Sequence, residues 1–174
     1  MVYKYKHRPN LSVKADFSPE GVPVFRYRLE ITKKNNANKS SKTVCAIMQN
    51  PSYAREEYAD RSVQVLERVV FEHGLKEFEG AVRLIVVNLF AYIKTNNFVG
   101  TDAEIGSKNN DVISKAFKES NIILIAWGKS NHFTKRKDYV TSLIKNMEDK
   151  TILETSCHPS RVKYDDFIQP FKFQ

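Results

Sequence analysis

The sequence has few cysteines and no long apolar run, and each shortage excludes a class of protein. Only Cys45 and Cys157 occur among 174 residues, with no spacing typical of a disulfide framework. No segment approaches the roughly 20 apolar residues that a membrane-spanning helix requires. The first ten residues, MVYKYKHRPN, lack the apolar core of a secretory signal. We therefore expect a soluble protein of a reducing, cytoplasmic compartment, with no membrane association.

Motifs that would indicate a cofactor are also missing. The sequence has no P-loop and no Gly-x-Gly-x-x-Gly fingerprint, the two glycine-rich loops that hold nucleotide phosphates. Its four histidines and two cysteines have none of the spacings of zinc or iron–sulfur ligands. We expect no metal and no cofactor.

Positive charge is in excess. The chain has 28 Lys and Arg against 20 Asp and Glu, which gives a net charge of +8 and a pI of about 9.4. One interpretation is a phosphate-rich partner such as nucleic acid. The other is that the charge only keeps the protein soluble. The balance of charge leaves both open and predicts no oligomeric state.

Alternating strand and helix patterns predict the fold of residues 43–174. Apolar, β-prone runs predict strands at 43–48, 82–88, 121–126 and 151–155, and amphipathic runs predict helices at 60–73, 109–119 and 132–147. Strands that alternate with helices in this way form a parallel sheet with right-handed crossovers. The prediction is an α/β fold, a three-layer α/β/α domain around a central, mainly parallel four-stranded sheet.

The two ends of the chain carry weaker patterns. Residues 3–8 and 24–31 alternate as edge strands do, with a turn signal at 17–21 between them, and predict an N-terminal β-hairpin. Residues 32–42 are polar and predict a loop, so that 1–42 form the hairpin and basic loop. Residues 164–169 predict a short final helix. All of residues 1–174 are expected to form a single domain.

Polar residues follow three of the predicted strands. The first ends at Gln49-Asn50-Pro51, since Pro51 has no amide hydrogen for the sheet. The second ends with Asn88, and the last is followed by His158. Ligands bind open α/β sheets at the carboxyl ends of the strands. Asn50, Asn88 and His158 are therefore predicted to share one pocket.

Two resemblances rest on these segments. ADFSP, MQNPSYA, VVNLFAYIKT, AWGKSNHFTKRK and CHPS occur in this order, and the chain is identified as a member of the domain of unknown function 1643 family. That family name implies no activity. More distantly, the chain resembles uracil-DNA glycosylases, which end successive strands on a Gln-Asp-Pro or Asn-Pro turn, on Asn, on Trp-Gly and on His-Pro-Ser. The corresponding residues here are Gln49–Pro51, Asn88, Trp127-Gly128 and His158–Ser160.

The second resemblance implies a uracil-DNA glycosylase-like fold and a role for each strand end. Asn50 orients a water molecule, although an amide cannot deprotonate it, so hydrolysis is expected to be roughly 10²–10⁴-fold slower or lost. Asn88 reads a pyrimidine edge, or alternatively caps the loop backbone. His158 donates a hydrogen bond to the departing base, or alternatively contacts a phosphate or orders the Pro159 turn.

Further residues are predicted around the pocket. Gln49 and Ser160 belong to the motif turns and are expected to bind substrate. Tyr53 and Phe90 either stack on a base or belong to the core. Residues predicted to contact nucleic-acid phosphates are Lys129, Lys135, Arg136, Arg161 and Lys163. The alternative is a solvated helix face, above all for Lys135 and Arg136 in the predicted helix at 132–147.

Three functional hypotheses follow. The first is a hydrolase of an N-glycosidic bond in DNA or in a nucleotide derivative. The second is a non-catalytic protein that binds nucleic acid or a nucleotide on the same fold. The third is an enzyme of another reaction class. Asp60, Asp102 and Asp111 are carboxylates that could lie near Asn50, but their position relative to the pocket does not follow from sequence.

Overall fold

One mixed sheet organises the chain. The computed structural model describes residues 4–18, 24–34, 41–145 and 147–173. Within them, seven strands form one sheet in the order β1-β2-β4-β3-β5-β6-β7. The strands are β1 (Leu11–Phe17), β2 (Arg26–Lys33), β3 (Lys42–Met48), β4 (Ala81–Asn88), β5 (Ile122–Ile125), β6 (Thr151–Thr155) and β7 (Ile168–Pro170). The helices are α1 (Arg61–Phe71), α2 (Asp102–Ile105), α3 (Asn109–Glu119) and α4 (Thr134–Ile144), with 3₁₀ turns at Lys76–Phe78 and Pro159–Arg161.

The centre of the sheet contains the four predicted strands. β4, β3, β5 and β6 are neighbours in that order and run parallel to one another. The chain passes from β3 to β4 on one side and then crosses back over β3 to β5 on the other. The strand order thus reverses direction between β3 and β5. In open α/β sheets such a reversal opens a crevice at the carboxyl ends of the two strands.

Helices cover both faces of this sheet. Asp60 begins α1 by accepting a hydrogen bond from the Val63 amide at 2.9 Å, and Val63 and Leu66 pack on one face. The opposite face is covered by α3 and α4 through residues such as Ile113 and Val140. The structure is therefore a three-layer α/β/α arrangement. Among the helices described, none has the length and apolarity that crossing a bilayer would require.

The sheet differs from the prediction of four parallel strands plus a separate hairpin, because all seven strands belong to one sheet. The N-terminal hairpin also lies further along the chain than predicted. Its strands are β1 and β2, which pair antiparallel, and β2 also pairs antiparallel with β4. The predicted strand at 3–8 is wrong, since in its described part only Tyr5 pairs, in an isolated bridge with Ala59. Most of the predicted turn at 17–21 and loop at 32–42 lies outside the described residues.

The predicted helix at 164–169 is also wrong. The chain there returns along β6 as β7, which pairs antiparallel with it. Phe167 is buried at 3% exposure, and its carbonyl accepts a hydrogen bond from the Ser156 amide at 2.8 Å. Pairing with the edge of β6 gives the backbone N–H and C=O groups of this segment hydrogen-bond partners, most of which a single helical turn would leave unpaired. Pro170 is tolerated because β7 is an edge strand.

Candidate functional site

A cavity of about 880 Å³ opens at the carboxyl ends of the parallel strands. Its walls come from the turn after β3, the N-terminus of α1, the Trp127 turn after β5 and the His158 turn after β6. This is the position expected from the reversal of strand order between β3 and β5. The volume falls within the range of small-molecule sites.

The cavity brings together some of the predicted site residues and not others. Those that line it are Gln49, Asn50, Tyr53, Lys129, His158, Ser160 and Arg161. Those that do not are Asn88, Phe90, Lys135, Arg136 and Lys163. The turns after β3 and β6 thus line the same cavity, as the strand-end pattern predicts.

Asn88 lies beside the cavity rather than in its wall. It pairs in register with Met48, which does line the cavity. The Asn88 side chain is only 1% exposed, and neither of its polar atoms has a hydrogen-bond partner among the described residues. Its backbone carbonyl accepts a hydrogen bond from the Asn109 side chain at 3.0 Å. A buried amide without partners is uncommon, because desolvation without a hydrogen bond costs about 1–3 kcal/mol.

Phe90 belongs to an aromatic cluster of the core. It is 2% exposed and meets the rings of Phe98 and Phe133 edge to face, each with a centroid separation of 5.1 Å. Of the two sequence interpretations, this packing matches the core one.

Arg136 points inward rather than toward the cavity mouth. Its Nε donates to the Leu89 carbonyl at 2.7 Å, and its guanidinium lies 5.1 Å from the Tyr139 ring centroid. Burial lowers the pKa of Arg136, and Tyr139 acts in the opposite direction. Lys135 and Lys163 are exposed but lie outside the cavity lining.

Asn50 is held by the backbone of the neighbouring loop. Its Nδ2 donates to the Lys94 carbonyl at 2.7 Å and to the Pro51 carbonyl at 3.3 Å. Its Oδ1 accepts a longer bond of 3.4 Å from the Gln49 side chain. Both amide hydrogens are therefore engaged, while the carbonyl oxygen keeps acceptor capacity. Asn50 can orient a water molecule through that oxygen.

His158 presents a neutral donor to the cavity. Its Nδ1 accepts a hydrogen bond from the Ser160 amide at 3.3 Å and lies 2.9 Å from the Ser160 hydroxyl. Since the amide can only donate, the ring proton of neutral His158 sits on Nε2. Burial lowers the pKa of His158, Arg161 adds to the lowering, and attraction by Asp60 opposes it. The imidazole is therefore uncharged at neutral pH, with an Nε2–H available to a ligand.

Gly128 allows the Trp-Gly turn to pack against the His158 turn. Its φ is +80°, and a Cβ added there would lie 3.2 Å from both the backbone nitrogen and the Cβ of His158. A side chain at this position would strain the backbone and displace His158. The glycine therefore contributes to the position of the imidazole.

Asp60 is the site residue that sequence reasoning could not place. It lines the cavity and is 7% exposed, whereas Asp102 and Asp111 do not line it. Asp60 is also the one acidic residue among the described residues of the lining. The sequence does contain a signal for this position. Asp60 is the predicted cap of the helix that follows the first parallel strand, and such a helix begins near the carboxyl edge of the sheet, where the cavity lies.

Four cations line the same cavity as this single carboxylate, and one of them, Lys94, lies 3.9 Å from Glu104 outside the lining. Lys129 and Arg161 were predicted, and Arg61 and Lys94 join them in the lining. The Arg61 Nε donates to the Ser160 carbonyl at 3.0 Å and so ties α1 to the His158 turn. A cavity lined mainly by one sign of charge attracts ligands of the other sign. The ligand chemistry that fits is anionic.

Sequence comparison matches the chain to one protein family. Residues 26–161 match the family described as "Protein of unknown function (DUF1643)". The chain belongs to this family. The matched segment contains all four parallel strands and every residue that lines the cavity. Comparisons with curated proteins and with solved structures give no match. In the described residues, no group of three or more His, Cys, Asp or Glu could hold a metal ion.

Proposed function

We propose that the protein binds a nucleobase in this cavity, as part of DNA or of a nucleotide derivative, and hydrolyses its N-glycosidic bond on a uracil-DNA glycosylase-like fold. One observation carries the proposal. Asn50, which can orient water, lines the same cavity as a neutral His158 whose Nε2–H has no hydrogen-bond partner among the described residues. The two residues are far apart in the chain.

The state of His158 suits the departure of a base. When the C1′–N bond breaks, the electron pair leaves with the base and negative charge collects on its oxygen. A fixed N–H donor at that point stabilises the charge, and removal of such a donor typically costs about 10²–10³ in rate. The half-buried, neutral imidazole acts as such a donor without carrying a charge of its own.

The cations suit a phosphate-bearing substrate. Arg61, Lys129 and Arg161 are exposed, and Lys94 is half-buried, all on the cavity wall. Phosphates of DNA or of a nucleotide held by these residues would set the depth to which the base enters. Binding should therefore weaken steeply with salt.

Asn88 supports the same proposal indirectly. Its two polar atoms lack partners within the described part of the chain, and a base edge could supply both an acceptor and a donor to them. Because the amide lies beside Met48 and outside the lining, the cavity wall has to open before Asn88 reaches a base.

A second candidate is a non-catalytic nucleic-acid or nucleotide-binding protein. The observation that favours it is the use of both Asn50 amide hydrogens by backbone carbonyls. In that arrangement Asn50 braces the turn, and the cavity binds a base without water attack.

Base release from uracil-containing and mismatch-containing oligonucleotides tests the first candidate. We expect His158→Ala to lower the rate by about 10²–10³, and Asn50→Ala to lower it as well. The exposed His73, outside the lining, gives the control variant His73→Ala. Oligonucleotide binding without release of any base supports the second candidate, and absence of both rejects the two together.

The salt dependence of oligonucleotide binding tests the assignment of the cations. Lys129→Ala and Arg161→Ala should each reduce the slope of log affinity against log salt by about 1. Lys135→Ala and Lys163→Ala are matched controls, since these lysines are exposed but do not line the cavity. Equal effects from all four would place the phosphate contact elsewhere.

A further inference from the structure

We propose that Asp60 is the catalytic carboxylate of this site and takes the water-activating role that Asn50 cannot perform. The inference rests on the proposed function and assigns a further residue to it. Asp60 belongs to the helix cap of α1, not to the Gln49–Pro51 turn where the resemblance to uracil-DNA glycosylases seeks the water-activating residue.

The carboxylate is held firmly in the cavity wall. Asp60 is 7% exposed, and its Oδ1 accepts the Val63 amide hydrogen at 2.9 Å. A carboxylate has two oxygens and several acceptor positions, so this bond leaves capacity for a water molecule. Because a helix of 11 residues fixes the cap, Asp60 would need little rearrangement to meet a ligand.

Asp60 and His158 are fixed relative to each other. Arg61, the residue after Asp60, donates to the carbonyl of Ser160, which lies two residues beyond His158. The charge of Asp60 acts on His158, where it opposes the lowering of the imidazole pKa by burial. It also acts on Tyr53, whose pKa is raised by burial and then by Asp60. His158 and Tyr53 both line the cavity, so the field of Asp60 extends through the space where a ligand would sit.

A buried arginine lies within range of the carboxylate. Arg26 is 0% exposed, and its Nη1 donates to the Ala54 carbonyl at 2.7 Å. Its Nε and Nη2 have no hydrogen-bond partner among the described residues. Burial lowers the pKa of Arg26 and attraction by Asp60 opposes this. Arg26 therefore places a buried positive charge within electrostatic range of Asp60.

In the proposed reaction, water replaces the base at C1′ of the sugar. A water molecule bonds to C1′ of the sugar while the C1′–N bond breaks, and the electron pair of that bond leaves with the base. Asp60 takes one proton from the water, so that a hydroxyl remains on C1′. The His158 Nε2–H stabilises the anionic base, which then takes up a proton from solvent as Asp60 returns its own to solvent. The carboxylate also lies near the positive charge that develops on the sugar in the transition state.

Asp60→Asn separates catalysis from the helix cap. Asn is as good a helix cap as Asp because its oxygen accepts the same amide hydrogen. We expect single-turnover base release from a uracil-containing oligonucleotide to fall by about 10²–10⁴, while the variant stays folded and still binds the oligonucleotide. Asp102→Asn is the control, since Asp102 is exposed and does not line the cavity. Base release by Asp60→Asn at the wild-type rate would overturn the assignment.

A binding experiment keeps the inference testable when turnover is too slow to detect. Two oligonucleotides are compared, one with a cationic pyrrolidine abasic-site analogue and one with the neutral tetrahydrofuran analogue. Wild type should bind the cationic analogue about tenfold or more tightly, because a transition-state-like charge meets the carboxylate. Asp60→Asn should lose this preference and keep its affinity for the neutral analogue. A preference retained in Asp60→Asn overturns the role of Asp60 alone, whereas a wild type that binds neither oligonucleotide overturns the proposed function as well.

Discussion

The buried pair His7–Glu67 provides a prediction about pH and stability. His7 has an 8% exposed side chain, and its Nδ1 forms a short hydrogen bond with Oε1 of Glu67, whose side chain is fully buried in α1. Its Nε2 binds the Arg55 carbonyl at 2.7 Å. Burial is the largest single influence and lowers the pKa of His7. The bonds to Glu67 and Arg55 and the attraction by Glu67 together outweigh burial and raise that pKa above its usual value.

The sign of the pH dependence follows from that direction. A histidine with a raised pKa in the folded state contributes stability that is full below its unfolded pKa, near about 6.5, and is lost as pH rises through the folded value. His158 has a lowered pKa, so its own effect lies below the same unfolded value. Cys45 has a raised pKa, so its effect begins only as pH approaches the unfolded value of a thiol, about 8.5. The window from about pH 6.5 to about pH 7.5 therefore reports mainly on His7. In that window the free energy of unfolding should fall as pH rises.

The magnitude comes from the burial of Glu67. His7→Ala leaves a carboxylate that is 0% exposed without its cation, and breaking one partner of a buried pair costs about 3–5 kcal/mol. The His7 side chain is itself 8% exposed, so we expect the lower end, about 3 kcal/mol below pH 6.5. Typical stabilities are about 5–15 kcal/mol, so the variant should remain folded. Glu67→Gln keeps an acceptor for His7 and should cost less, but it should abolish the decline with pH.

Urea unfolding followed by the fluorescence of Trp127, the sole tryptophan, measures these effects at about pH 6.5 and about pH 7.5. The control is His73→Ala, an exposed histidine whose loss should change stability by no more than about 0.5 kcal/mol. A wild-type stability that rises across the window, or a His7→Ala cost under about 1 kcal/mol, would refute the reasoning.

Two further predictions concern the cavity. Gly128→Ala should cost about 1–2 kcal/mol of stability because of its left-handed φ, and it should also lower base release by displacing His158. The control is Gly74→Ala, since Gly74 also has a left-handed φ, of +65°, but an added Cβ there meets nothing within 4 Å. Thermal unfolding should therefore respond to both substitutions, and base release only to Gly128→Ala. Burial raises the pKa of Cys45 to about 12, whereas Cys157 is half-buried and lines the cavity. A thiol reagent should therefore react with Cys157 alone in the native protein and with both cysteines in urea. Two rapidly reacting native thiols, or none, would contradict the second prediction.

The parallel core was predictable because its signals are local. Each of the strands β3 to β6 is a short β-prone run, and each begins and ends close to its predicted position; β6 matches at Thr151–Thr155. Asp60 was predicted as a helix cap from its position before an apolar face, and its bond to Val63 confirms this. Such features depend on a few neighbouring residues, so sequence periodicity is sufficient to find them.

The edge strands were missed for the opposite reason. β7 has three residues and pairs with β6 through partners well removed in sequence, and nothing in residues 164–169 encodes that edge. β1 likewise depends on its register with β2, from Leu11 opposite Lys33 to Phe17 opposite Arg26. Short strands owe their stability to the partner strand rather than to their own residues.

Sequence by itself determined the four parallel strands, the helices between them and the polar residues at the strand ends, because each is set by the chemistry of adjacent residues. Only the tertiary structure decided which polar side chains share the cavity. Asn50, His158 and Asp60 line it, Asn88 is buried beside it, and Arg136 turns inward to the Leu89 carbonyl. The physical reason is that the direction and burial of a side chain are set by contacts between segments distant in sequence. The buried Leu89 carbonyl needs a hydrogen-bond donor and receives it from Arg136, while the packing around Asn88 leaves its side chain only 1% exposed.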